Sequence, residues 1–456
     1  MTHLTPSFDL KKQFPGSNWL DTPVSIAPLV VFRMVFGLLV LGSTLRFWAL
    51  GWIEDHYLHS RFQFKYAGFE WVQVLPPAGM YALHVGMILG ALGILLGLYY
   101  RWSAVLFFLC FTYTELIDLT YYLNHYYFVS WVALMMIFVP AHRCFSVDVW
   151  RKPQLYCAQT PRWSIFIFQF LLGVVYVFAG FAKINYSWLI EAMPLRIWLP
   201  AADGLPVIGP LFRWYYLPWV FSWVGMLYDC SIVFWLAWAR TRGWAYATVV
   251  FFHAMTGCLF QIGVFPVVMI GATLIFFPAS FHARILEQLG RFLLKIADKP
   301  VPENKKPAFS KIRWTVLILF FSFHLLFPWR YLCYPGNLYW TEEGFRFSWR
   351  VMLMEKAGNA LFYVKDGMTG KEGVVNNSDF LNTHQEKQMS TQPDMILQFA
   401  HFLKKHYEAQ GVQQAAVRAE VYVTLNARPS SLLINPNLDL STVQDGWRPK
   451  TWILPY

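Results

Sequence analysis

Charge is what this chain has least of: Asp, Glu, Lys and Arg make up 14% of its 456 residues, against 57% hydrophobic ones. That balance excludes an ordinary soluble globule, whose exterior needs far more charge. The six cysteines, Cys110, Cys144, Cys157, Cys230, Cys258 and Cys333, contain no CxxC pair, which speaks against a disulfide framework or a zinc site. A short apolar core with a small-residue cleavage site is missing from the polar N-terminal stretch, so a cleaved signal peptide is not expected. His56 and His59 stand three apart without a third ligand in view, and no metal centre is expected there.

What is present is hydrophobic length. Runs of about 18 to 23 apolar residues suit membrane spans, and 22 Trp with 24 Tyr suit the interfacial belts at their ends. The expected fold is a polytopic α-helical membrane protein of about nine transmembrane helices with a C-terminal α+β or β-sandwich-like soluble domain. Spans are expected near 25–47, 79–100, 102–121, 126–140, 163–183, 216–239, 244–260, 262–278 and 312–329. With the N-terminus in the cytoplasm, Lys11, Lys12, Arg101, Arg143, Arg151, Lys152, Arg162, Arg240 and Arg242 fall inside, and only Arg61, Lys65, Arg196 and Arg213 outside. The +11 net charge therefore reads as topology rather than nucleic-acid binding, and an odd span count puts the C-terminal domain on the opposite side.

Three parts follow: an N-terminal cytoplasmic segment 1–25, a helical membrane domain 26–333 and an extramembrane domain 334–456. Between the last two spans, 282–299 alternates an apolar face with a basic one, as an interfacial helix does, and a Pro- and Lys-rich linker follows to about 311. In the last part, 346–354, 360–365 and 418–425 read as strands. A helix is expected from Asp394 to Tyr407, stopped by Gly411.

One stretch demands an explanation. Val177-Phe-Ala-Gly-Phe-Ala-Lys183 ends an uncharged run in a lysine, and an ammonium within hydrocarbon costs about 2.5–3.5 kcal/mol on insertion scales. Gln169, Gly173, Tyr176, Gly180 and Lys183 share one helical face, which is expected to look inward. The competing reading is a lysine that snorkels to the headgroups. Burial disfavours the charged form of an amine, and a neutral amine is a usable general base. Glu115, Asp118, Tyr122 and His125 are spaced three, four and three, as on one helical face; His125 is expected at the same membrane depth as Lys183. Asp118, with Arg33 as a candidate partner, and Asp229 read as structural polar residues, and His253 reads equally well as structural or functional.

Beyond this physics the chain resembles a known family. Leu89 to Arg101, Asp118-Leu-Thr-Tyr-Tyr-Leu-Asn124-His125, Ser146-Val-Asp148, Phe178 to Lys183, Phe252-His253-Ala-Met255, Ile262-Gly-Val-Phe265, Trp340-Thr341 and Phe347-Ser-Trp349 are similar, in order, to the vitamin K-dependent gamma-glutamyl carboxylases. The resemblance implies oxidation of vitamin K hydroquinone, a reduced menaquinone or phylloquinone, by O2 to the epoxide. The base so formed takes a γ proton from a protein-bound glutamate, and CO2 adds to give gamma-carboxyglutamate. By the same resemblance Lys183 deprotonates the hydroquinone and His125 serves carboxylation. Asn124, Tyr122, His253, Met255 and Phe265 surround the quinone, while Arg196, Trp340 and Trp349 bind the glutamyl substrate. Implied partners are a glutamate-containing protein or peptide, membrane lipids and an isoprenoid quinone, in an inner membrane if the source is bacterial. Met354 and Lys356 depart from the histidine and arginine of animal members, and a shorter C-terminal region leaves propeptide recognition open. The alternative is a quinone- or lipid-binding membrane protein, or an epoxidase, without carboxylase activity.

Overall fold

The computed structural model describes residues 19–260, 262–293 and 311–456. The expected N-terminal segment up to residue 18, the end of the amphipathic segment and the linker lie outside the described residues.

Helices form at all nine expected places. They are α1 Ala27–Ala49, α2 Pro77–Leu96, α3 Tyr100–Glu115, α4 Asn124–Phe138, α5 Trp163–Ala182, α6 Leu217–Ala237, α7 Arg242–Leu259, α8 Phe265–Thr273 and, after the amphipathic α9 Ala279–Leu293, α10 Lys311–Leu326. Nine spans are not confirmed. Among the described residues five helices, α1, α2, α5, α6 and α10 with its 3-10 extension, are long and apolar enough to cross a bilayer, or six if α8 and α9, bent by 111°, form one broken span. Helix α7 has 18 residues but is not apolar enough, while α3 and α4 are too short, with 16 and 15 residues. At 1.5 Å per residue they reach about 24 Å, short of a hydrocarbon core of about 30 Å. Helix α9 starts three residues before the expected His282. Its Ile285, Leu286 and Leu289 are half-buried, with Arg284, Glu287 and Arg291 exposed on the other side.

The membrane part closes around Leu29, Phe36, Phe107, Val132, Phe168 and Leu171, all buried. The C-terminal domain has its own core on one antiparallel sheet of order β2-β1-β3-β4, with β1 Lys356–Lys365, β2 Glu372–Val374, β3 Ala416–Leu425 and β4 Ser431–Leu432. Helix α11, Pro393–Ala409, presses Met395, Leu397, Phe399 and Leu403 onto Phe362, Val417 and Val421. One sheet covered by a helix is an α+β layer, not a sandwich. The expected strand 346–354 does not form. Phe347, Trp349 and Met352 have φ of 58°, 59° and 53°, left-handed values that no extended strand tolerates. The segment turns instead and drives Trp349 into the core of the membrane part.

The two parts interlock through the loop after α1. Phe64 and Tyr66 enter the C-terminal core, and the Lys65 backbone exchanges hydrogen bonds of 2.8 and 3.0 Å with the Gln398 side chain. The buried Gln385 amide donates to Phe62 O at 2.7 Å and to Asp118 Oδ2 at 2.6 Å. Asp118 also accepts from Thr120 N and Oγ1 at 2.9 and 2.8 Å. The suggested Asp118–Arg33 pair is therefore absent. Arg33 lies near the other end of the bundle, donating to Phe145 O at 2.7 Å. Rings from three segments stack across the seam: His56 on Tyr121 at 4.1 Å and Tyr121 on His384 at 4.8 Å.

Candidate active site

Lys183 follows the last turn of α5 and does not snorkel. It is 7% exposed. Its Nζ donates to Asp229 Oδ2 at 2.7 Å and to Ala179 O at 3.2 Å, and sits 5.4 Å from the Trp188 ring centre. The local sequence produces this approach. A Cβ on Gly180 would meet Cys230 N at 2.7 Å, so only glycine lets α6 come close enough to set Asp229 beside the lysine. Asn185 accepts from Trp188 N at 2.9 Å, turning the chain so that the indole covers the amine. The rest of the stripe faces inward too: Gln169 donates to Ile275 O at 3.0 Å, and Tyr176 Oη lies 2.9 Å from His253 Nε2.

Beside Lys183 opens a narrow cavity of about 110 Å3, walled by apolar side chains including Val175, Phe221, Met255 and Phe265, with Asp229, Tyr176 and His253 among them. His253 Nδ1 is buried and has no hydrogen-bond partner. A buried polar atom without a partner beside an apolar slot suits a flat, weakly polar ligand such as a quinol, whose oxygen would complete it.

A second, larger chamber of about 1040 Å3 lies where the two parts meet, and Glu115, Tyr122, Asn124 and His125 line it. The three-four-three spacing does not put these residues on one helical face. Helix α3 ends at Glu115, a 3-10 turn spans Leu119–Tyr121, and α4 starts at Asn124. Three of the four still reach the chamber, and Asp118 turns to the seam. Tyr122 Oη donates to Asn124 Oδ1 at 3.0 Å and accepts from Phe347 N at 2.8 Å. Asn124 Nδ2 donates to Arg350 O at 2.7 Å. Phe265, Ile262, Val351 and Met352 belong to the walls of both spaces. The Phe265 ring centre is 5.7 Å from that of His125 and 5.7 Å from that of His253, so one phenyl separates the lysine cavity from the histidine chamber.

Two basic side chains of the chamber wall are ion-paired. Arg346 Nη1 meets Asp394 Oδ2 at 2.5 Å and Lys356 meets Glu342 at 2.9 Å. Burial alone would raise the Asp394 pKa, but the Arg346 charge and its hydrogen bonds outweigh burial and hold it below the usual carboxylate range. Burial lowers Lys356, partly offset by Glu342. On the seam, burial first and His384 second, against Asp55, lower His56 to about 4.

Other expected site residues lie elsewhere. Arg196 is exposed with its guanidinium 5.1 Å from the Trp219 ring, and lines neither space. Trp340 and Trp349 are each 1% exposed: Trp340 donates to Leu454 O at 2.8 Å, and the Trp349 ring packs tilted against Tyr127 with centres 5.0 Å apart. Both support walls without forming them. The sequence reading missed the Lys183–Asp229 pairing, Tyr176 as the partner of His253, and Arg350. Only Tyr176 carried a signal, through its place on the lysine's face. Among the described residues no three His, Cys, Asp or Glu side chains converge as a metal site would require.

Comparison with known families gives two matches. Residues 22–281 match the HTTM domain, and residues 309–456 match the vitamin K-dependent gamma-carboxylase, lumenal domain. No solved structure matches the chain.

Proposed function

Since the chain belongs to the vitamin K-dependent gamma-carboxylase family, we propose that it converts protein-bound glutamate to gamma-carboxyglutamate while vitamin K hydroquinone is oxidised by O2 to the epoxide. The observation that carries this reading is Lys183, buried against Asp229 in an apolar slot that one phenyl ring divides from His125. When bound, the hydroquinone with O2 supplies the strong base that the carboxylation needs. The protein's part is proton placement and dryness.

In this reading Lys183 Nζ takes the hydroquinone proton. For that step Nζ must offer a free lone pair, so the proton shared by the pair has to sit on the Asp229 carboxyl when the transfer occurs. With the added proton Nζ becomes a cation, which would stabilise negative charge developing next to it where water is excluded. Asp229 orients the amine, and Trp188 closes the slot. His253 and Tyr176 would supply polar contacts to the bound ring, and Met255 and Phe265 would give it apolar walls. Across Phe265, His125 acts on the glutamyl side, Asn124 and Tyr122 fix the loop that carries Arg350, and the polar chamber holds the peptide.

We place the junction of chamber and C-terminal domain on the periplasmic or lumenal side, with the N-terminus cytoplasmic, from the distribution of Lys and Arg. The test supplies the purified protein with reduced vitamin K, labelled bicarbonate and a short glutamyl peptide. Epoxide and labelled peptide together are expected. Epoxide alone would favour a quinone-oxidising protein without carboxylase activity, and neither product from folded protein would favour a quinone- or lipid-binding one.

A further inference from the structure

Of the basic side chains that line the large chamber, Arg346 and Lys356 are matched by Asp394 and Glu342, while Arg46 and Lys387 are exposed to solvent. Arg350 is different. It is 8% exposed, no carboxylate among the described residues lies within salt-bridge distance of it, and its Nε is buried without an acceptor among them. Its guanidinium lies 4.3 Å from the Tyr331 ring centre, a contact that holds the plane without neutralising the charge. A buried cation without a counter-ion is costly, and a ligand anion is the natural remedy.

Position adds to this. The Arg350 carbonyl is held by Asn124, the neighbour of His125, and the next two residues, Val351 and Met352, wall both spaces. We propose that Arg350 is the carboxylate-binding residue of this chamber and holds the side-chain carboxylate of the glutamyl substrate; this rests on the carboxylase reading above. Arg196, exposed and stacked on Trp219, is displaced from that role.

The chemistry needs a cation at that carboxylate. As the γ C–H bond breaks, its proton passes to the base that reduced vitamin K and O2 supply, and its electron pair spreads into the adjoining carboxylate. The same pair then forms the C–C bond to CO2, one of whose C=O bonds opens to become the new carboxylate. A planar guanidinium stabilises the doubly negative intermediate more than the singly charged substrate, as a transition-state donor does. Glu115, Glu342 and Glu355 also line the chamber, but Glu342 is held by Lys356 and Glu355 accepts from Trp198 Nε1 at 2.6 Å.

The test is direct binding, without turnover, of a blocked pentapeptide with a central glutamate and of its glutamine counterpart, titrated into the detergent-solubilised full chain. Wild type is expected to prefer the glutamate peptide, and Arg350→Gln to lose that preference by about 30-fold or more, the usual cost of removing one partner of a buried charge pair. Arg350→Lys, which keeps the charge but not the fork, should fall between them. A folded Arg350→Gln protein, melting as wild type does, that still prefers glutamate would overturn the assignment. So would a wild type indifferent to the two peptides. If the preference depends on Arg350 but the wild type fixes no CO2, the carboxylase reading fails and the anion site stands.

Discussion

The two spaces on either side of Phe265 are built on opposite principles. The Lys183 cavity is small and apolar, and the buried Lys183–Asp229 pair in its wall spans two helices. The chamber beyond is roughly ten times larger, and histidines, carboxylates, arginines and amides from both parts of the protein line it. The contrast separates two tasks. A strong base survives only where water is kept out, whereas a peptide carboxylate is held only where donors and cations are plentiful. The dry side is made by helices α5 to α8 with little from the C-terminal domain. The wet side exists only because that domain docks.

The sharpest way to break this division is at the lysine. Lys183→Ala should cut epoxide formation by about 10²–10⁴-fold, the span of general acid–base catalysis, and carboxylation with it. His125→Ala tests the other side. Labelled-peptide yield should fall by about 10²-fold or more while epoxide falls far less, so that the ratio of epoxide to carboxylated peptide rises. Breaking the buried pair with Asp229→Asn leaves an uncompensated charge and should cost about 3–5 kcal/mol in a thermal or denaturant melt, with activity lost in proportion. At the seam, Gln385→Leu removes the amide that serves both Asp118 and Phe62 O, and should loosen domain docking by about 1–3 kcal/mol, read as earlier melting or protease cleavage of the C-terminal domain.

The smallest expected effect is a pH dependence of that docking. His56 is stacked on Tyr121 with a pKa lowered to about 4, mainly by burial. A histidine whose folded pKa lies below its unfolded value of about 6.5 contributes stability that is present above that value and lost as pH falls towards about 4. Melting temperature should therefore decline across that window, and His56→Phe should flatten the decline.

Much of the bundle was legible because apolar length and the 3.6-residue period are local properties. They located nine helices and the inward face from Gln169 to Lys183, though not which helices are long enough to span. What sequence alone could not show was pairing across distance. Asp229 stands 46 residues after Lys183, and only the close approach at Gly180 joins them. Glu115, Tyr122 and His125 reached one chamber for a reason other than their spacing, since the helix breaks between them and the turn at Leu119–Tyr121 redirects the chain. The run at 346–354 looked like a strand because hydrophobic and polar residues alternate. Its left-handed residues at Phe347, Trp349 and Met352 are tolerated only because Tyr122, Asn124 and the Trp349 pocket hold them. Arg350 was passed over for the same reason, as its neighbours read as a strand rather than a chamber wall.

In the proposed function Lys183 and His125 serve different halves of one reaction on the two sides of Phe265. The direct measurement is the molar ratio of vitamin K epoxide to labelled carboxylated peptide, taken side by side for wild type, Lys183→Ala and His125→Ala. Both products should vanish together in the lysine variant, and the ratio should rise in the histidine variant. A lysine variant that still makes epoxide, or a histidine variant that loses both products equally, would contradict it.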